Sequence, residues 1–446
     1  MSVISKLTML GAAGSGVSPY WVFQTTDSAS VTPAENFDID SSDNSFLPVQ
    51  VFDTAASGIL KVSTEGELLA AAKFQFSGSK SPLANGLIVR SDDTPVVFGY
   101  ANDSTYATWK PGFWYRFNDS LTTPSSFRLY RYNAAQYVYA GKFLINSTVK
   151  DTSGNFYSAG SWNYNSSSAV QNNYGFFTKT TSSFSTSYTN RIGSTNSRCK
   201  GVAAKKTITG SSSDYIWVMY YSYGDGIVRI RASDGSIGNM YRLNTGNFGE
   251  NVTHAVDSND NCYAFLTNGT GLKFAPNAGN LSLVNSYTWT IPSGFSSFTF
   301  WGSTCETVDS TDYIFVKGYG RHVASNRYGI FFIRYDTSFN FIDGTMVTNS
   351  NSNLASYKAI KLDSQKNVML YAGIGSQTVL MKMPYDSSVS GTFGDWNVYT
   401  FSAPTRSVGS ISLTSHSDSG SGLTMDDDST TRTVTTPTVP STTTSL

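Results

Sequence analysis

One phrase recurs along this chain: a turn built from Asp, Ser, Gly or Asn leads straight into a run of apolar and aromatic residues. Its clearest copies begin at Asp151 (DTSGNFYSAG), Ser211 (SSSDYIWVMYY), Asp257 (DSNDNCYAFL), Asp309 (DSTDYIFVKG) and Asp363 (DSQKNVMLYAG), with weaker ones at Ser41 (SSDNSFLPVQV) and Ser91 (SDDTPVVFGY). The last turn residue of each copy falls near Asn44, Thr94, Asn155, Asp214, Asn261, Asp312 and Asn367, a period of about 50 residues with insertions. A single copy would mean only a turn in some β protein, because these residues mark turns everywhere. Seven copies in order mean a repeated unit.

A second phrase trails the first in each unit, a Gly followed by a strand and a polar turn, at Gly58, Gly112, Gly175, Gly226, Gly271 and Gly329, with Thr378 in the equivalent place. Strand, turn and strand in fixed order give an antiparallel meander. The run Tyr215, Ile216, Trp217, Val218, Met219 and Tyr220 has no polar alternation. Such a run belongs to a strand covered on both faces, as when a blade packs between two neighbours. The pattern therefore predicts an all-β fold, a single β-propeller of about seven four-stranded blades, six if a worn copy is not a blade. Several runs finish on glycine (Gly99, Gly160, Gly318, Gly373), which suggests strands crowding toward a central channel.

The propeller is expected over residues 37–404, between an N-terminal arm or adaptor at 1–36 and an extended Ser/Thr-rich C-terminal arm at 405–446. The first arm carries an aromatic knot, Tyr20, Trp21, Val22 and Phe23, read as an assembly contact. After Phe401 the chain loses its large apolar residues and ends TTRTVTTPTVPSTTTSL, a composition that is disordered alone in water and suits docking on neighbouring subunits. The closing strand of the last blade is expected from 397–402 or from the segment near Phe37.

Charge restricts the partners. Only 14% of residues are charged, against a usual share of about 25%. Lys plus Arg equals Asp plus Glu at 31 each, so the whole chain exerts no net pull on nucleic acid or an anionic membrane. No run of about 18 apolar residues exists to make a membrane span. The partner class expected is protein or glycan.

Reactive groups are sparse. Cys199, Cys262 and Cys305 are far apart and odd in number, which fits small buried residues better than a disulfide framework or a zinc site. His254, His322 and His416 have no metal-ligand or triad partner at a recognisable spacing, and no nucleophile elbow, zincin, P-loop or EF-hand motif occurs. No catalytic residue, cofactor or metal site is assigned, and Asp426, Asp427 and Asp428 read as solvated charge rather than a Ca²⁺ site. The aromatics of WKPGFWY (Trp109, Trp114, Tyr115) and WNY (Trp162, Tyr164) are candidate glycan or partner contacts, against the simpler reading that they pack between blades.

The opening MSVISKLTMLGAAGSG with the following YWVFQTT, the turn phrase kept best at Asp151 to Gly160, and the Thr-Pro-Thr tail together resemble the propeller-repeat virion proteins of marine tailed phages, including phages of cyanobacteria. The resemblance implies a non-enzymatic structural component on the phage particle, a tail, fibre-base, adaptor or vertex appendage present in several copies and bound to other virion proteins. A receptor- or host-glycan-binding module is the alternative it leaves open, with a glycan-cleaving propeller enzyme third.

Overall fold

The structure, a computed structural model, describes residues 6–7, 19–26, 31–52, 56–76, 80–103, 111–132, 141–167, 170–193, 197–222, 224–243, 252–277, 280–409, 411–416, 419–421, 425–427, 432–435, 437 and 441–445. They form seven antiparallel blades of four strands around a channel, with no helix among them. Blade 1 takes its innermost strand from Val31–Pro33 and Asp38–Ile39 and continues outward through Ser45–Phe52, Ala56–Val62 and Leu68–Phe76. Blades 2 to 6 begin on the channel with Lys80–Val89, Gly141–Lys150, Arg198–Ala203, Val252–Val256 and Phe295–Val308, each a meander running outward. Blade 7 has Ala355–Leu362, Val368–Ile374 and Gln377–Met383. Its fourth strand is Trp21–Thr25, antiparallel to the third with Val22 opposite Met381.

That fourth strand corrects two expectations. The aromatic knot is not an assembly arm: Trp21 and Phe23 are buried in the core between blades 7 and 1, Val22 faces blade 6, and Tyr20 packs beside it, half-buried. Neither 397–402 nor the segment near Phe37 supplies the closing strand. A β-rich apolar pentapeptide needs a sheet edge to satisfy its backbone, and the outer edge of blade 7 is the one it meets. The propeller therefore starts ahead of residue 37.

The C-terminal segment is a further correction. It does not leave the ring; it runs around it, and each of its short strands adds an antiparallel fifth strand to one blade. Trp396–Thr400 lies on blade 6, Arg406–Val408 on blade 5, Leu413–His416 on blade 4 and Ser419–Ser421 on blade 3. Met425–Asp427 follows on blade 2, Arg432–Thr435 on blade 1 and Ser441–Ser445 on blade 7, where Lys6–Leu7 pairs parallel outside it. This belt visits the blades against their chain order and completes one circuit. Trp396 and Val398 are buried and Ile411 and Leu413 pack half-buried on the cluster between blades 4 and 5, while the Ser/Thr-rich remainder has backbone groups to be paired, and the outer sheet edges pair them.

Between every two neighbouring blades lies one apolar cluster, seven in all. The unbroken run of blade 4 shows why its sequence lacks alternation: Ile216, Val218 and Tyr220 enter the cluster toward blade 3, whereas Trp217 and Met219 enter the one toward blade 5. Burying an aromatic or branched side chain contributes about 2 to 3 kcal/mol, and a blade standing alone would expose both faces. Closure into a ring is the arrangement that hides them.

The glycines that end the apolar runs do not line the channel. They sit on the second strand, opposite a bulge in the innermost one: the register slips at Ala84/Gly86, Ile145/Ser147 and Phe300/Gly302, facing Gly99, Gly160 and Gly318. A Cβ on Gly160 would come within 1.8 Å of the Leu144 carbonyl oxygen, and one on Gly318 within 2.1 Å of that of Thr299. The crowding is real, but it comes from the bulge. The bulged Asn85 and Asn146 use the freedom to donate side-chain amides to the next blade, to the carbonyls of Ile145 (2.7 Å) and Cys199 (2.8 Å).

Candidate functional site

The recurrent phrase folds as the turn joining the first and second strands of a blade, and its chemistry explains its spelling. In Asp257–Asn261 the Asp257 Oδ1 accepts the N–H groups of Asn259 (2.9 Å) and Asn261 (2.8 Å), while Asn261 Nδ2 donates to Oδ2 (2.8 Å). Asp40 with Asn44 and Asp151 with Asn155 repeat the full set, Asp363 with Asn367 keeps both bonds to the asparagine, and Asp336 with Asn340 makes the full set again in the turn between the third and fourth strands of blade 6. The fourth residue of each turn is left-handed: Asp43 at φ 63°, Gly154 at 77°, Asp260 at 65°, Phe339 at 62° and Lys366 at 68°. An acid four residues before an asparagine is thus a side-chain staple for a strained turn.

These turns also hold one blade to the next. The carboxylate of Asp93 on blade 2 accepts the N–H (2.8 Å) and hydroxyl of Ser41 on blade 1, Asp312 on blade 6 accepts both from Ser258 on blade 5, and Asp43 on blade 1 accepts both from Ser364 on blade 7. Burial alone would raise the Asp312 carboxyl, but the bonds from Ser258 and Thr307 outweigh it and hold it below the ordinary carboxylate range. On this face the blades form a latched ring.

Inside the ring the channel encloses about 490 Å³, lined by the innermost strands. Its charges are largely paired: Lys361 with Asp38 at 3.2 Å, Lys206 with Glu306 at 2.7 Å, Lys205 with Asp214 at 2.9 Å and Lys200 with Asp225 at 2.5 Å. Lys150 donates to the Val89 carbonyl. Burial works to raise the Asp38 carboxyl, yet Lys361 and Lys150 keep it ionised and lowered. His254 is buried in the wall, its Nε2 3.3 Å from the Trp217 carbonyl oxygen, and burial pushes its pKa down to about 4. It is therefore neutral at pH 7, with Nε2–H as the donor. Burial also drives the Cys305 thiol well above its ordinary value. Among the described residues no group of three His, Cys, Asp or Glu side chains could hold a metal ion.

The aromatics singled out from sequence divide as follows. Trp109 lies outside the described residues. Trp114 and Tyr115 are fully buried, the first toward blade 3 and the second toward blade 1, with the Tyr115 ring 5.2 Å from that of Phe74. Trp162 is buried and stacks on Tyr174 at 5.1 Å. Their rings are spent on packing between blades, which removes them as sugar or partner contacts; consecutive large residues on a strand with two covered faces must go inward on one face or the other. Of Tyr164 the backbone is described, paired with Gly141 and Asn172. Sequence reasoning passed over a half-buried group on blade 6, where Trp301 meets Tyr319 edge-on at 5.6 Å, Tyr319 lies 6.2 Å from Tyr328, and Arg321 covers Tyr328. Trp301 is the bulged residue of its strand, and the displaced register that brings it there leaves no mark in the sequence.

No protein-family model matches the chain, and no curated protein matches it. Solved structures do superpose on it. The Dos1 propeller is 10% identical with a TM-score of 0.45, over 80% of this chain and 79% of that one. BBS1N in complex with ARL6DN is 11% identical with a TM-score of 0.42, over 79% and 91%. The polysaccharide lyase Uly1 is 9% identical with a TM-score of 0.40, over 79% and 90%. Each is a likeness of overall architecture.

Proposed function

We propose that this chain is a non-enzymatic structural component of a tailed-phage particle, serving as a rigid docking platform for other proteins of that particle on its outer side. The observation that supports the platform most is the latching of the blade turns. Carboxylates at Asp93, Asp312 and Asp43 tie neighbouring blades together, and the last of them spans the closure between blades 7 and 1. Among the described residues, Trp21–Thr25 is spent on the ring as a blade strand and the C-terminal strands as a belt. A disc fastened inside, outside and across its face holds a fixed shape, which is what a spacer between other subunits needs. The particle context comes from the sequence resemblance.

The test is to purify particles from a phage lysate, locate the chain with antibody fragments raised against the latched face, and remove its gene. The reading requires labelled particles and failed or incomplete assembly without the gene. Particles that assemble normally but no longer adsorb would favour a second reading, recognition of a host-surface glycan. The half-buried rings of Trp301, Tyr319 and Tyr328 beside Arg321 support that reading, since rings and cations of this kind stack on sugar faces. Cleavage of host polysaccharide by the pure protein would contradict the non-enzymatic part of the proposal.

A further inference from the structure

A blade of antiparallel strands sends its first and third turns to the latched face of the ring, and its second turn with the connection to the next blade to the other face. The charges divide along the same line. On the latched face Asp43, Glu65, Asp93, Asp312, Asp336 and Asp386 lie in or beside such turns, half-buried or exposed, and none makes an ion pair among the described residues. The cations of this face are mostly engaged. Arg116 pairs with Asp92 at 2.7 Å, Lys205 with Asp214 at 2.9 Å and Lys206 with Glu306 at 2.7 Å, while Lys179, Lys273 and Arg406 donate to backbone carbonyls of the next blade. Lys366 makes no such contact, and it alone does not offset these acids.

The other face has the opposite sign. Arg191, Arg198, Arg242, Arg321 and Arg327 stand at its ends of the strands in blades 3, 4 and 6, all half-buried. Three lie over tyrosine rings, Arg191 on Tyr174 at 5.2 Å, Arg198 on Tyr221 at 5.5 Å and Arg321 on Tyr328 at 5.8 Å, an arrangement that holds a guanidinium without neutralising it. The acids whose side chains are described on that side are Glu35, Asp225 and Asp395, and Lys200 neutralises Asp225 at 2.5 Å. The balance of 31 acids and 31 bases in the whole chain therefore conceals two faces of opposite charge.

We propose that these faces bind one another between copies of the chain, the acidic latched face of one ring docking head to tail on the arginine face of a second. An acidic partner would satisfy the arginines alone and a basic partner the acids alone. A second copy satisfies both, and the two discs match in outline because they are the same disc. The contact is heterologous and leaves one face of each kind free at the ends, so paired rings grow into columns. This inference does not depend on a phage particle.

Sedimentation velocity of the whole chain over a range of concentrations tests it. At about 20 mM salt the mass rises with concentration, and at about 0.5 M salt the association is at least ~tenfold weaker, because added ions screen the facing charges. Glu65→Lys with Asp386→Lys reverses charge on the latched face, and Arg321→Glu with Arg327→Glu reverses it on the other. Each double variant alone associates at least ~tenfold more weakly than the parent at low salt, and an equimolar mixture of the two recovers association, since each now meets an opposite face on the other. Circular dichroism checks that the variants keep their β structure; should the arginine variant misfold, Arg191→Glu takes its place. A parent chain that sediments as a single ring at low salt overturns the proposal, and capture of that ring by polylysine or by heparin then assigns the faces to a basic or an acidic partner instead. Association that ignores salt, that survives in both double variants, or that the mixture of folded variants fails to recover overturns it as well.

Discussion

Ser364 and Asp43 stand 321 positions apart, yet the Ser364 N–H donates to Asp43 Oδ1 at 2.8 Å and its hydroxyl to the other carboxylate oxygen. The pair joins the last blade to the first on the latched face. It complements the closure made by Trp21–Thr25 at the outer edge of blade 7, so the ring is fastened both across its face and along its rim.

Asp43 sits in a left-handed conformation that glycine adopts freely, so Asp43→Gly keeps the turn and removes only the latch. The expected cost is about 1 to 2 kcal/mol, the loss of two hydrogen bonds to a half-buried carboxyl group. Urea unfolding followed by tryptophan fluorescence measures it. An unchanged midpoint would mean that the latch contributes nothing to closure.

His254 makes stability depend on pH in a stated direction. Its folded-state pKa of about 4 lies below the ordinary value of 6.5, so between these limits the unfolded chain takes up a proton that the native one refuses. Stability is full above pH 6.5 and falls as pH drops toward 4, by about 3 kcal/mol in total. His254→Gln keeps a donor for the Trp217 carbonyl and should flatten that slope. Unfolding free energies of the two proteins from pH 4 to 8 decide the point, and parallel profiles would refute it.

Gly160→Ala places a methyl group against the Leu144 carbonyl and should cost about 3 kcal/mol, because neither the bulge nor the second strand can yield without breaking the bond from Asn85 to the neighbouring Ile145. Thermal unfolding reads it directly. A variant as stable as the parent would show that the innermost strand is not pinned by its bulge.

The ring was legible in the sequence because the staple of each blade turn demands particular side chains. Asp151 with Asn155 and Asp257 with Asn261 can be spelled in few other ways, and the uninterrupted run Tyr215–Tyr220 reports two buried faces. Even the worn copies at Ser41 and Ser91 head true blades. The belt was not legible: backbone pairing asks nothing of side chains, so Ser419–Ser421 or Ser441–Ser445 reads the same whether free in water or laid along a sheet. The candidate aromatics failed for a related reason. Trp114 and Trp162 lie in strands whose two faces are both covered, and composition cannot say which rings face water.

Closure of the ring by the N-terminal strand is most directly tested by hydrogen exchange on a peptide spanning 20–26. Its backbone pairs with Gln377–Met383 on one side and Ser441–Ser445 on the other. The expected result is protection matching that of Tyr215–Tyr221 in blade 4, lost only when the whole ring unfolds. Exchange at the rate of an unpaired segment, with blade 4 still protected, would contradict it.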